Sequence, residues 1–156
     1  MEKFLENIEE AEKTIQTADH MIYVTFPLIK DKRLLLKILR EIKKAVTGCI
    51  NSILQYEYLY KRITLYKDSK VNFKTFVDKC AFRYKISRGE IKLILELFDL
   101  AKKHEESPFE FIKEEKVIIL SENLKPKTLT VEKTKEFLML AKDILKKTRE
   151  TMKRNF

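Results

Sequence analysis

The 156-residue chain has no tryptophan, two cysteines, two histidines, two glycines and three prolines. Gly48 and Gly89 stand alone, so no glycine-rich phosphate loop can be drawn from them. A fold of many short strands needs frequent Gly/Pro turns, which Pro27, Pro108, Pro126 and two glycines do not supply; that leaves few, long helices. Cys49 and Cys80 lie 31 residues apart, with no CxxC and no histidine at ligand spacing. Both fall on apolar helix faces, so buried reduced thiols are expected rather than a disulfide, and no metal site. No apolar run approaches the roughly 18 residues of a membrane span. The opening MEKFLENIEE is too acidic and too periodic for a signal peptide, which makes the cytoplasm the expected compartment.

Catalytic signatures are equally scarce. There is no G-x-S-x-G and no H-E-x-x-H. His20 follows Asp19, and His104 closes a helix in Lys103-His104-Glu105-Glu106, where the helix dipole alone accounts for it. The acid clusters Glu9/Glu10/Glu12 and Glu105/Glu106 lack the Glu-x-x-His spacing of a carboxylate metal bundle and read as solvated faces. No enzymatic activity and no cofactor are expected.

What the sequence has in quantity is charge and helical periodicity. Hydrophobic residues make up 44% and charged ones 37%, a globular composition of single-domain size over 1–156. The net charge of +9 is uneven. Residues 1–26 carry two bases and six acids, whereas residues 27–104 carry nineteen bases and eight acids. A positive middle fits nucleic acid, or an acidic face of a partner or of a second copy. Because 26 of the 33 bases are lysine, a thermophilic lifestyle or an AT-rich genome also explains the excess.

Apolar residues at Phe4, Ile8, Ala11, Ile15, Ala18 and Ile22 form a narrow seam, continued by Met21, Tyr23, Val24 and Phe26 until Pro27 ends the first helix. The next segment reads as a connection, with Asp31 capping a second helix of roughly 30 residues. That helix carries a seam from Leu35 through Tyr60 to Ile63 and a second row (Leu34, Leu39, Val46, Ile50, Leu54), so it is expected to be central. Gly48 in its middle suggests a close crossing. After a polar turn at 65–71, Asn72 is expected to cap a third helix bearing Phe73, Phe76, Val77, Cys80, Ala81 and Tyr84. Ser87-Arg88-Gly89-Glu90 is a capping box for a fourth, with Ile91, Ile94, Leu95, Phe98 and Ala101 facing the core. Ser107-Pro108-Phe109-Glu110 is a second capping box and predicts a short helix to about Glu114. Val117-Ile118-Ile119-Leu120 is the one strand-like run, expected as an extended segment over the core rather than half of a two-stranded flap. Thr130 caps the last helix, whose inner face is Phe137, Leu138, Ala141, Ile144, Leu145, Thr148 and Met152. The expected fold is all-α: an antiparallel up-and-down bundle of about five helices plus one short helix, with a small extended segment near 116–121.

Two features suggest binding. Arg33, Lys37, Arg40 and Lys44 recur at steps of 4, 3 and 4 along one stripe of the second helix, with Lys43 beside it. Lys74, Lys79, Arg83, Lys85, Arg88 and Lys92 extend the stripe if the third helix packs nearby. Such contacts grip phosphates without reading sequence. At the far end, Gln55-Tyr56-Glu57-Tyr58-Leu59-Tyr60-Lys61-Arg62 alternates three tyrosines. Tyr56 and Tyr60 follow the core seam, leaving Tyr58 at the surface beside Lys61 and Arg62. There it either stacks a single-stranded base or shields the bundle end with its hydroxyl in water.

The helix at 11–23, the run Ala45-Val46-Thr47-Gly48-Cys49-Ile50-Asn51-Ser52-Ile53-Leu54 and the amphipathic helix at 137–152 together resemble the HEPN-like helical domains. The resemblance implies an up-and-down bundle of four or five helices, often dimeric, in a family of RNA-cleaving toxins and companions of nucleotidyltransferases. Its ribonucleases carry an Arg and a His separated by four to six residues. Here positions 13–15 are Lys-Thr-Ile and 97–99 are Leu-Phe-Asp, so neither His20 nor His104 completes the motif. The resemblance therefore implies a non-catalytic member, with 107–123 as an elaboration. Two functions stay open. One is a module that binds RNA or nucleotides through Arg33, Lys37, Arg40, Lys44, Tyr58, Lys61 and Arg62. The other is a protein–protein module, a homodimer or the partner of a nucleotidyltransferase, that does not touch nucleic acid.

Overall fold

The computed structural model describes residues 2–107, 109–113, 116–120 and 125–153. Four long helices carry the core: α1 (Lys3–His20), α3 (Leu34–Leu59), α5 (Arg88–Glu106) and α6 (Val131–Lys153). The short helices α2 (Phe26–Ile29) and α4 (Ser69–Thr75) complete the set, and a three-stranded sheet, β1 (Phe109–Lys113), β2 (Lys116–Leu120) and β3 (Pro126–Leu129), lies between α5 and α6. Side-chain pairs give the directions. Asn7 Nδ2 donates to Gln55 Oε1 at 2.8 Å and Lys44 pairs with Glu10, so α1 and α3 run antiparallel. Arg149 pairs with Glu12 and Lys142 with Asp19, which sets α6 antiparallel to α1. Lys147 with Glu90 and Lys133 with Glu96 do the same for α5 and α6, and since α3 and α6 both oppose α1, α5 runs antiparallel to α3 as well, with Lys43 paired to Glu105 between them. The result is the antiparallel bundle expected, with α3 against α1, α5 and α6.

The apolar stripes meet in the interior. Ile38, Leu39, Ile42, Val46, Cys49, Ile53, Ile94, Leu97, Phe137 and Ile144 are essentially inaccessible. Buried threonines satisfy their hydroxyls within their own helix, as Thr148 does on the Ile144 carbonyl at 2.7 Å. Gly48 does sit where α1 crosses α3. A Cβ there would lie 3.6 Å from Ala11 Cβ and from the Asn7 carbonyl oxygen, an ordinary contact, so the crossing is close without requiring glycine.

Several local expectations are corrected. Pro27 does not end the first helix. A π turn (Met21–Thr25), in which the Phe26 amide reaches back to the Met21 carbonyl, widens the spiral just before the proline, and α2 follows directly with Pro27 in its first turn. The wide turn relieves the clash between a proline ring and the carbonyl of the preceding turn. The burial changes with it: Met21, Ile22 and Phe26 face inward, while Tyr23 and Val24 face solvent. Helix α4 is capped by Asp68, which accepts from the Lys70 amide at 2.9 Å, not by Asn72; the Asn72 amide instead clasps both backbone groups of Tyr66. The region begun by α4 continues through a second π turn (Phe76–Cys80) rather than as one α-helix. On α5 the inward positions are Ile94, Leu97, Leu100 and Ala101; Leu95 is half exposed.

The short helix expected after Ser107 is strand β1. It pairs antiparallel with β2, and β2 with β3, so the expected lone extended segment is the centre of a meander. Pairing on both sides satisfies the backbone of Val117-Ile118-Ile119-Leu120, and alternation puts Val117 and Ile119 into the core beside Leu129. Pro108 and residues 114, 115 and 121–124 lie outside the described residues. The two predicted caps at Ser87 and Thr130 are present: Ser87 and Glu90 form the reciprocal box, and Thr130 Oγ1 accepts from the Lys133 amide at 3.1 Å.

Glu90 also holds α6. Burial pushes its carboxyl upward, but the Lys147 ammonium, and then the Ser87 amide, bring it below the ordinary 4.5. A depressed folded-state value contributes stability above the ordinary carboxylate range, and that stability is lost as pH falls through the folded value. Glu90→Gln, which retains the box geometry, is expected to flatten the acid limb of melting temperature against pH below 4.5.

Candidate nucleic-acid interface

At about 100° per residue, Arg33, Lys37, Arg40, Lys44, Thr47, Asn51, Gln55 and Tyr58 fall within an arc of about 80° on α3. The side opposite is occupied by the core. The four bases and Tyr58 are exposed, so the structure brings them onto one solvent-facing stripe. Its amino-terminal half is basic and its middle is uncharged. From Arg33 to Tyr58 the stripe runs about 37 Å.

The cations differ in how they are held. Arg33 closes a local loop on Asp31: its guanidinium Nε sits 3.2 Å from Oδ1, and its backbone amide donates to the same oxygen at 3.0 Å. This pairing holds the Asp31 carboxyl below its ordinary range; Asp31 is not the cap expected of it, because the helix opens at Leu34 after Arg33 with no side-chain cap and the carboxylate is engaged by Arg33. Lys44 stands 3.8 Å from Glu10, both side chains about two-thirds exposed. Lys37 and Arg40 have no ionic partner among the described residues. Exposed pairs such as Lys44–Glu10 contribute about 0–1 kcal/mol, so Lys44 can exchange its carboxylate for a phosphate at little cost.

The carboxyl-terminal end of α3 is built differently. The Arg62 amide donates to the Glu57 carbonyl at 2.9 Å and the Lys61 amide to the Tyr58 carbonyl at 2.9 Å, with Lys61 at φ 60°. This is a Schellman end with lysine where glycine is usual. The same device ends the segment after the second π turn, where Lys85 has φ 57° and the Ile86 amide reaches the Ala81 carbonyl at 2.9 Å. Neither glycine of the chain occupies such a position. A left-handed lysine costs roughly 1–2 kcal/mol, partly offset by the lower entropy of its unfolded state. Lys85→Gly is therefore expected to raise stability by about 0.5–1 kcal/mol, or a melting temperature gain of about 1–4 °C.

The Schellman turn aims Arg62 inward. Its Nη1 donates to Glu57 Oε2 at 2.8 Å, Arg83 Nε lies 3.5 Å from Oε1, and the Tyr84 hydroxyl donates to Oε2 at 3.3 Å. Glu57 is 1% exposed. Burial, and then the Glu57 charge, push the Tyr84 hydroxyl well above its ordinary value. The Cys80 thiol is pushed up to about 12 by burial and then by Glu57, and Cys49 to about 12 by burial, so both free thiols stay protonated at neutral pH.

Thus Arg62, a candidate ligand-binding residue, serves the interior, and its guanidinium lies 5.1 Å from the centre of the Tyr60 ring. Tyr60 itself is 44% exposed rather than part of the core, because the helix ends at Leu59 before its stripe can turn inward. Glu57 continues the apolar row of Val46 and Ile50, so helical periodicity alone places this acid on the inner face of α3; the cations that meet it there are not legible from that periodicity. His104 does more than meet a helix dipole: its Nδ1 lies 2.6 Å from Glu110 Oε2 and ties α5 to β1.

Beside the uncharged middle of the stripe, α3, α4 and α5 diverge around a groove of about 430 Å³. Lys43, set off the stripe, faces this groove. No family model matches the chain, and no curated protein matches it.

Proposed function

We propose that this chain is a non-catalytic helical module that binds RNA through the exposed stripe of α3. The observation that carries this reading is the alignment of Arg33, Lys37, Arg40 and Lys44 on one solvent-facing arc, with Lys37 and Arg40 unpaired among the described residues. The stripe lies within the segment that holds most of the positive charge. Tyr58, 55% exposed at the far end of the same arc, offers a ring for stacking, and Lys61 stands exposed beside it. The absence of Arg at ribonuclease spacing before either histidine fits binding rather than cleavage, in keeping with the resemblance to HEPN-like domains. Retention on immobilised single-stranded RNA should weaken steeply with added salt, because phosphate contacts release counterions. Absent or salt-independent retention would reject the reading.

A second reading rests on a different surface. Tyr23 (52% exposed), Val24, Leu28 (80%) and Ile29 cluster where α1 passes through its π turn into α2. Exposed apolar groups gathered at one helix end favour self-association. Light scattering should then show a concentration-dependent dimer that Leu28→Glu abolishes; a monomer at every concentration removes this reading and leaves the first intact.

A further inference from the structure

We propose that the groove between α3, α4 and α5 receives an unpaired nucleobase of the strand lying along the α3 stripe; this rests on the RNA reading above. The groove adjoins the stripe, since Thr47 and Asn51 belong to both. Its volume of about 430 Å³ falls in the range of small-ligand sites. The lining is largely apolar: Ile50 and Leu54 are buried, Leu95 is half exposed, and Phe73 of α4 and Phe98 of α5 are partly buried rings with centroids 5.7 Å apart and tilted by 54°. Half-buried rings at an open cleft present π faces on which a base can stack.

The polar groups favour a base over an acyl chain. Thr47 and the exposed Asn51 amide line the same groove and offer a donor and acceptors for a base edge. Asn72 contributes none, because its amide is engaged with Tyr66. Lys43 and Lys70 stand among the lining residues with positive charge suited to the phosphates on either side of an inserted base. Lys70 is exposed, and Lys43 is only loosely engaged, 4.0 Å from Glu105. A duplex keeps its bases stacked and paired, so the groove predicts preference for single strands.

The test is fluorescence anisotropy on the full chain with a labelled single strand of about twelve nucleotides and with the same sequence as a duplex. Two variants are compared: Leu95→Glu, which blocks the groove at a half-exposed position, and Phe98→Leu, which removes a ring while keeping an apolar side chain. Single-strand affinity should fall about fivefold or more in each variant, while duplex affinity changes less than about twofold. Unchanged single-strand binding in both variants would overturn the inference and leave the stripe reading standing. So would equal loss on single strand and duplex. Binding of a fluorescent fatty acid, displaced by Leu95→Glu, would instead assign an apolar occupant. Failure of the unaltered chain to bind any RNA would overturn both readings at once. Phe98→Leu is first checked by thermal melting; if it unfolds, Leu95→Glu decides alone.

Discussion

Replacing Arg62 and Arg83 together by methionine is expected to cost about 3–5 kcal/mol, whereas Glu57→Gln alone should cost only about 1–2 kcal/mol. The asymmetry comes from exposure. The Glu57 side chain is 2% exposed, but those of Arg62 and Arg83 are 33% and 36% exposed. When the carboxylate is neutralised, the two guanidinium groups can turn toward water. When the guanidinium groups are removed, the buried carboxylate is left with the Tyr84 hydroxyl as its hydrogen-bond donor among the described residues. Stranding a buried charge is the costly direction. Urea unfolding of the two variants and of the triple variant checks this. Adding Glu57→Gln to the double methionine change should restore part of the loss, since it removes the stranded charge. Equal costs for the two variants, or no restoration, would show that the cluster is solvated and contributes little.

Reversing Lys37 and Arg40 to glutamate is expected to weaken RNA retention by about tenfold or more near 0.1 M salt. The slope of log affinity against log salt should drop by about 1–2, since each lost phosphate contact on a single strand removes roughly 0.7. Both side chains are exposed and lack ionic partners among the described residues, so stability should stay within about 0.5 kcal/mol. The contrast with Arg62 is informative. Arg62→Gln is expected to lower stability while leaving the salt slope unchanged, because that guanidinium is held by Glu57. Equal slopes for the unaltered chain and the Lys37/Arg40 variant would remove the stripe as a phosphate-binding surface.

The periodic part of the fold is legible in the residues themselves. Seams spaced by three and four positions name the inner faces of α1, α3 and α6, and all of Phe137, Leu138, Ala141, Ile144, Leu145, Thr148 and Met152 are buried. Capping chemistry locates the starts of α5 and α6, because a hydroxyl that accepts from an amide three residues ahead is a local interaction. Local signals fail where a neighbour in space outvotes them. Ser107-Pro108-Phe109-Glu110 reads as a helix start, but Phe109–Lys113 pairs with Lys116–Leu120 because that strand-forming run needs a partner. Pro27 reads as a stop, yet a π turn two residues earlier accommodates it.

The candidate site divides in the same way. Helical geometry alone places Arg33, Lys37, Arg40 and Lys44 on one stripe, since their mutual positions depend only on the turn of a single rod. The Asp31 carboxylate on Arg33 and the Glu57 carboxylate on Arg62 are also local, but the meeting of Lys44 with Glu10 and of Glu57 with Arg83 and Tyr84 depends on groups brought from other elements. The groove is likewise set by how far three rods diverge. The sequence determined the rods and their oily faces, because those follow from neighbours along the chain. Only the tertiary structure decided that Lys44 meets Glu10, that Arg83 reaches Glu57 and where a cavity opens, because these depend on residues far apart in the chain and close in space.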